Sequence, residues 1–288
     1  MRRTRTGPSI RQFLRYYLLV LLSEKARTRR QMVEEIRERS DGNRSYRPNG
    51  VLWPAAAEMD AVLAGLADDG LVTAPRRGVR WRISPAGERA LAAYEDREKA
   101  GDGKERAAAT VLELLGPASA HVRVLDVGTG QGFLALKVAE RGFSVTGIDS
   151  GCFDYSKDSI EKAREQARQV GGDIEFRQSD VRELDEPDGS FDFIVSSQAV
   201  HCMAEQWACV RAVHRLLKPG GRFLCIDYLV GVAGFQRHGF HCFLALTREE
   251  WVEMLLDQGF INVRMHDADD FLVIEAQKAP TRTPAGTS

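Results

Sequence analysis

The sequence predicts an α/β protein, a parallel β-sheet flanked by helices, preceded by a smaller α+β unit. Three observations point there. From Val122 to Ile226, short β-branched runs alternate with helix-length segments, as in βαβ units. The first of these runs carries Asp126 and opens into Gly128-Thr129-Gly130-Gln131-Gly132, a glycine loop between strand and helix. The charge is divided: residues 1–99 hold 20 Lys and Arg against 13 Asp and Glu, net +7, and the remainder 20 against 28, net −8. A basic third joined to an acidic remainder suggests two separate tasks.

Ser9 can cap a first helix to Leu22, and Thr28 a second to Arg39. The polar stretch Ser40–Gly50 separates them from a third helix, Leu52 to Asp69, which Gly70 stops. Leu71–Thr73 and Val79–Ile83 flank Ala74-Pro75-Arg76-Arg77-Gly78, a hairpin turn with a basic tip. Ser84 caps another helix with Pro85 at its first position, where a missing N–H costs nothing. The charged stretch 96–103 reads as a linker, so residues 1–95 form one domain, 104–278 a second, and 279–288 a flexible tail.

In the second domain a leading helix, Lys104 to Leu115, precedes the alternation. Strands are expected at Val122–Val127, Ser144–Ile148, Asp173–Gln178, Phe191–Ser196 and Arg222–Ile226. Helices fall between them at Phe133–Arg141, Tyr155–Val170 and Gln206–Leu217. Thr247-Arg248-Glu249-Glu250 is a capping box for a helix to Gln258, followed by strands Ile261–Met265 and Phe271–Ala276.

Composition narrows the function classes. The apolar run Tyr16–Leu22 is far too short to span a bilayer, and no small-x-small cleavage pattern follows it. It reads as a buried helix face, and no membrane partner is expected. Cys152, Cys202, Cys209, Cys225 and Cys242 are odd in number and form no CxxC pair, so a reducing, cytoplasmic setting is expected.

The glycine loop points backbone amides and a helix's positive end at a ligand, at the carboxyl end of a parallel strand. Phe133 breaks the GxGxxG spacing of nicotinamide-binding folds and leaves GxGxG. With Leu217-Lys-Pro-Gly-Gly221 before the fifth strand and a closing strand–helix–hairpin, residues 104–278 resemble the Rossmann-like class I S-adenosylmethionine-dependent methyltransferases, most closely the type 11 small-molecule group. The resemblance implies S-adenosylmethionine as cofactor and a small-molecule acceptor with an oxygen, nitrogen or sulfur nucleophile.

That resemblance also distributes roles. Asp149, 17 residues after Gly132, matches the position that accepts both ribose hydroxyls, with Ser150 beside it. Asp180, followed by Val181, matches the position that bonds the adenine amine, and Asp126 the acid near the methionine ammonium. Gly128, Thr129, Gly130 and Gly132 bring backbone to the methionine moiety, and Ser196 and Gln198 end the fourth strand in the same cleft. His201 faces the transferred methyl in related folds. Its ordinary pKa suits a general base, and a cleft-lining role without proton transfer is the alternative. Tyr228 and His241 are candidate substrate contacts. Cysteines at strand ends leave a lesser alternative open, a metalloid methyltransferase, although no paired thiol motif is present.

The first ninety residues resemble the winged helix-turn-helix of PadR-type regulators. That implies double-stranded DNA as a partner, with Arg29, Arg30, Arg44 and Arg47 on the helix side and Arg76, Arg77, Arg80 and Arg82 on the wing. The third helix has no Lys or Arg for base readout, however. Resemblance to small-molecule O-methyltransferases allows a dimerising or substrate-covering module instead. A regulator that senses S-adenosylmethionine without turnover is the alternative function.

Overall fold

The computed structural model describes residues 8–41, 56–75, 80–99, 103–119, 121–151, 158–203, 205–228, 246–268 and 271–281. The chain divides into two compact units, Met1–Gly101 with Leu229–Thr247, and Asp102–Tyr228 with Arg248–Ser288.

The first unit runs α1 (Pro8–Glu24), β1 (Arg27–Thr28), α2 (Arg29–Asp41), α3 (Ala56–Asp68), β2 (Val72–Thr73), β3 (Arg80–Ile83) and α4 (Pro85–Lys99). Its three strands form an antiparallel sheet in the order β1-β3-β2. The apolar run of α1 is core: Tyr17, Leu18, Leu19, Leu21 and Leu22 are buried, packed with Met32, Met59, Leu63 and Leu66. Burying each such side chain contributes about 1.5–3 kcal/mol, which ties α1 to this unit.

Two caps form where side-chain chemistry called for them. Thr28 Oγ1 accepts the Gln31 N–H at 3.1 Å and Gln31 Oε1 accepts the Thr28 N–H at 2.9 Å, a reciprocal box starting α2. Ser84 Oγ accepts the Gly87 N–H at 3.0 Å and donates to the Gly70 carbonyl at 2.6 Å. Strand β1 was not foreseen. It is two residues long and exists through its pairing with β3 and the buried Arg27, which bonds Glu24 and Glu35. Within the stretch read as a linker, α4 reaches Lys99 and α5 (Gly103–Leu115) begins at Gly103.

The second unit continues with β4 (Arg123–Val127), α6 (Phe133–Glu140), β5 (Ser144–Asp149), α7 (Ser159–Val170), β6 (Ile174–Gln178), β7 (Phe191–Ser197), α8 (Gln206–Leu216), β8 (Leu217–Tyr228), α9 (Arg248–Asp257), β9 (Phe260–Ala268) and β10 (Phe271–Lys278). They form a seven-stranded sheet in the order β6-β5-β4-β7-β8-β10-β9. The strands from β6 to β8 run parallel, and β10 and β9 close the sheet antiparallel. Strand order reverses between β4 and β7, which is where open α/β sheets bind ligands. The sheet is apolar on both faces, as a helix-covered parallel sheet requires. On one side Val124, Val145 and Phe176 pack with Ala107 and Val111 of α5 and Leu134 and Val138 of α6.

Strand β8 starts five residues earlier than expected, at Leu217. The Lys218–Gly221 segment joins the strand through a register shift opposite Phe191–Phe193 instead of turning away.

Candidate active site

The site gathers at the carboxyl ends of β4, β5, β6, β7 and β8. The loop after β4 folds back on β5: the N–H groups of Gly128 and Thr129 both donate to the Ile148 carbonyl at 2.9 Å. Gly128 has φ +70°, and a Cβ placed there would lie 2.3 Å from the Ala199 Cβ, so only glycine fits. Gly132, at φ +86°, starts α6 with no side-chain cap.

Asp149 ends β5 and braces this loop. Its Oδ2 accepts the Gly130 N–H at 3.0 Å and its Oδ1 the Gly151 N–H at 2.9 Å. Each oxygen has a second lone pair, so the carboxylate can brace the loop and still accept a ligand hydroxyl. Ser150 beside it is exposed.

Asp126 is 1 % exposed, and its Oδ2 accepts from the Thr129 hydroxyl at 2.8 Å. Burial pushes its carboxyl up to about 7, against the lowering effect of that hydroxyl. Oδ1 is buried without a hydrogen-bond partner among the described residues, and so are Ser197 Oγ and Gln198 Nε2 at the end of β7. An unsatisfied buried polar atom costs about 1–3 kcal/mol. One acceptor and two donors are thus left unsatisfied at the ends of the two central strands.

The turn after β7 is pinned to β8. Gln198 takes an unusual φ of +56°, and its N–H donates to the Ile226 carbonyl at 2.7 Å. Its Oε1 accepts the Tyr228 hydroxyl at 2.7 Å. His201 sits in a short 3₁₀ turn, Val200–Cys202, and is 1 % exposed. Asp227 accepts from the His201 ring Nδ1 at 2.5 Å, the His201 backbone N–H at 3.1 Å and the Tyr228 backbone N–H at 2.8 Å. The Tyr228 ring meets His201 edge-on at 5.0 Å.

This pairing bears on the expected role of His201. Burial alone would lower its pKa, but the Asp227 carboxylate outweighs that and raises it to about 10. Cys202 adds to that rise, and a histidine held in this way favours the cleft-lining role over that of a general base.

Other expected residues fall variously. Ser196 is fully buried and donates to the Val127 carbonyl at 2.8 Å, tying β7 to β4. Val181 is 3 % exposed, which confines any ligand contact to its backbone. Asp180 is paired with Arg182 through both oxygens, and that guanidinium holds its carboxyl below the usual range. Asp227 and Arg182 were missed. A lone acid closing the apolar run Phe223–Ile226 was the available signal for Asp227.

His241, Arg44, Arg47, Arg76 and Arg77 lie outside the described residues, as do Cys152 and Cys242. Cys225 is fully buried and burial raises its thiol pKa well above the ordinary value, and no metal-holding group of His, Cys, Asp and Glu occurs among the described residues. Arg29 is paired with Asp60 of α3 at 2.5 Å and Arg30 with Glu34 at 2.7 Å, whereas Arg80 is exposed on β3. No helix among the described residues is long and apolar enough to cross a membrane.

Residues 118–250 match a family model described as a methyltransferase domain. Among curated relatives, the 27-O-demethylrifamycin SV methyltransferase of Amycolatopsis mediterranei is 34% identical over 117 residues, 40% of this chain and 41% of the relative. The ubiquinone biosynthesis O-methyltransferase of Ruegeria pomeroyi is 34% identical over 106 residues, 37% of this chain and 41% of the relative. This chain spans between about two fifths and three fifths of the length of the curated relatives it matches. In fold, an S-adenosylmethionine-dependent methyltransferase structure from Aquifex aeolicus superposes with a TM-score of 0.51 at 22% identity, over 64% of this chain and 97% of the other. Residues 118–250 thus carry the match to a methyltransferase domain, and the second unit has the Rossmann-like, mostly parallel sheet of that structure.

Proposed function

We propose that the chain transfers a methyl group from S-adenosylmethionine to a small-molecule oxygen acceptor. The unsatisfied trio carries this reading: Asp126 Oδ1 as acceptor, with Ser197 Oγ and Gln198 Nε2 as donors, at the strand-order reversal. An acceptor suits an ammonium and the two donors suit a carboxylate, which together make the amino-acid end of the cofactor. Asp149 would take the ribose hydroxyls, Asp180 the adenine amine, and the Gly128–Gly132 backbone the methionine chain.

When bound, the cofactor supplies a methyl group on a sulfonium, whose displacement requires an aligned nucleophile. Tyr228 and Gln198, bonded to each other, are the acceptor-side groups. His201, paired with Asp227, fixes the turn and lines the site without serving as base. A site without a general base suits an acceptor that ionises readily, such as a phenol or enol, and the oxygen-methylating names of the relatives agree with an oxygen nucleophile. Calorimetry tests the cofactor half. Wild type should bind S-adenosylmethionine, and Asp149→Ala should weaken binding by roughly 1.5–3 kcal/mol, the scale for charged hydrogen bonds. Release of S-adenosylhomocysteine from a panel of phenols tests the acceptor half. No binding by wild type would overturn the reading.

The first unit we read as a winged helix acting by dimerising or by covering substrate. Its element order and its β1-β3-β2 sheet support the winged-helix assignment. The pairing of Arg29 with Asp60 and Arg30 with Glu34 favours the non-DNA role, because two arginines expected on phosphate already have carboxylate partners.

A further inference from the structure

Arg182 follows β6 by four residues, and the sequence pattern gave it no role. Its backbone N–H and Nε donate to Asp180 Oδ1 at 2.8 and 2.9 Å, and its Nη2 to Asp180 Oδ2 at 2.6 Å. The remaining arm, Nη1, donates to Glu205 Oε2 at 2.9 Å, at the residue preceding α8. The planar guanidinium therefore does two things to one carboxylate. It fixes the plane of the carboxylate through a two-pronged contact, and it keeps the group ionised, as the depressed pKa of Asp180 reflects. Asp180 itself sits on the cofactor rim, since the Ser179 N–H donates to the carbonyl of Asp149 at 3.0 Å.

An ionised carboxylate can only accept hydrogen bonds, whereas a protonated one can also donate. An exocyclic amine on the purine offers a proton to that acceptor. A 6-oxo group offers lone pairs instead and is repelled, unless the carboxyl can protonate or swing aside. We propose that Arg182 is a specificity-determining positioning residue: by clamping Asp180 from both oxygens while braced on Glu205, it makes the site accept a 6-aminopurine and refuse a 6-oxopurine. This inference rests on the cofactor reading above and deepens it, because it assigns discrimination to a residue that need not touch the cofactor.

The experiment compares two ligands on the full chain, S-adenosylhomocysteine and its 6-oxo analogue S-inosylhomocysteine, by calorimetry. Wild type should prefer the amino compound by about a hundredfold or more, short of the roughly 10⁴–10⁵ reached where a site is built to pair a polar group. Arg182→Met should bind the 6-oxo analogue relatively better and narrow the preference to about tenfold or less. Arg182→Lys, with a charge but no fork, should fall between the two. Thermal unfolding of each variant verifies that it is folded. If both affinities fall together in Arg182→Met and the preference is unchanged, Arg182 is only a brace and the inference is overturned. If wild type binds neither ligand, the cofactor reading fails first and takes this inference with it.

Discussion

Asp227 is the residue that most changes the picture of the site. Buried beside His201, it gives a pair whose charge state is set by folding. His201 has its pKa raised on folding, from an ordinary 6.5 to about 10. Its contribution to stability is then fully present below about pH 6.5 and is lost as pH rises through about 10. Asp227→Asn should destabilise the protein by about 3 kcal/mol near neutrality, the lower end for breaking a buried pair, since the histidine can shed its charge. Urea unfolding at pH 6, 8 and 10 should show the gap between wild type and variant closing as pH rises. A gap independent of pH would mean that His201 is neutral in the fold and would restore its candidacy as a base. This pair was not legible in the sequence, because 26 residues separate its members and only the adjacency of β7 and β8 joins them. Which of two neighbouring serines reaches the cleft was illegible for a different reason. Neighbouring strand residues face opposite sides, so of Ser196 and Ser197 only one could reach the cleft, and the sequence does not say which.

At the level of elements, the glycine loop and the turn after β7 are a single construction. The loop was legible, because glycines after an acid-bearing strand leave few other conformations. Its partner was not, because Ala199 carries no chemical signal of its own. Gly128→Ala should create both a steric overlap with Ala199 and a strained φ, together costing about 2–4 kcal/mol. Cofactor binding should be lost with it. Adding Ala199→Gly should recover the steric share but not the backbone share, read as partial return of the denaturation midpoint. Full return would mean that the positive φ at Gly128 carries no cost for alanine, and no return would mean that the overlap with Ala199 carries none. The alternation of strands and helices and the parallel sheet were legible, whereas the start of β8 was not, because Lys218-Pro219-Gly220-Gly221 has turn chemistry and is drawn into the strand by pairing with β7.

Across the whole molecule, the division of charge was plain in the sequence, but its meaning depended on partners the sequence could not show. If Arg29 and Arg30 are satisfied within the first unit, the net charge of +7 in residues 1–99 overstates what that unit offers a polyanion. Titrating the full chain with duplex DNA between about 50 and 200 mM salt should give only weak, sequence-independent binding, and Arg29→Ala should leave the salt slope unchanged. A slope reduced by about 0.9 would assign Arg29 to a phosphate and return the unit to DNA.

One buried carboxyl ties the behaviour of the whole protein to its solvent. With its pKa near 7, Asp126 carries a proton about half the time at neutrality, and a bound ammonium group would demand the ionised form. Loading the cofactor then expels a fraction of a proton into the medium. Affinity should strengthen as pH rises toward about 8 and level off beyond it. Heats of binding measured at pH 7 in phosphate and in Tris should differ by the expelled fraction times the difference in buffer ionisation enthalpy. Identical heats in the two buffers would mean that Asp126 is already ionised before the ligand arrives. Otherwise, acidification by less than one pH unit would act on this protein as a partial competitor for its cofactor.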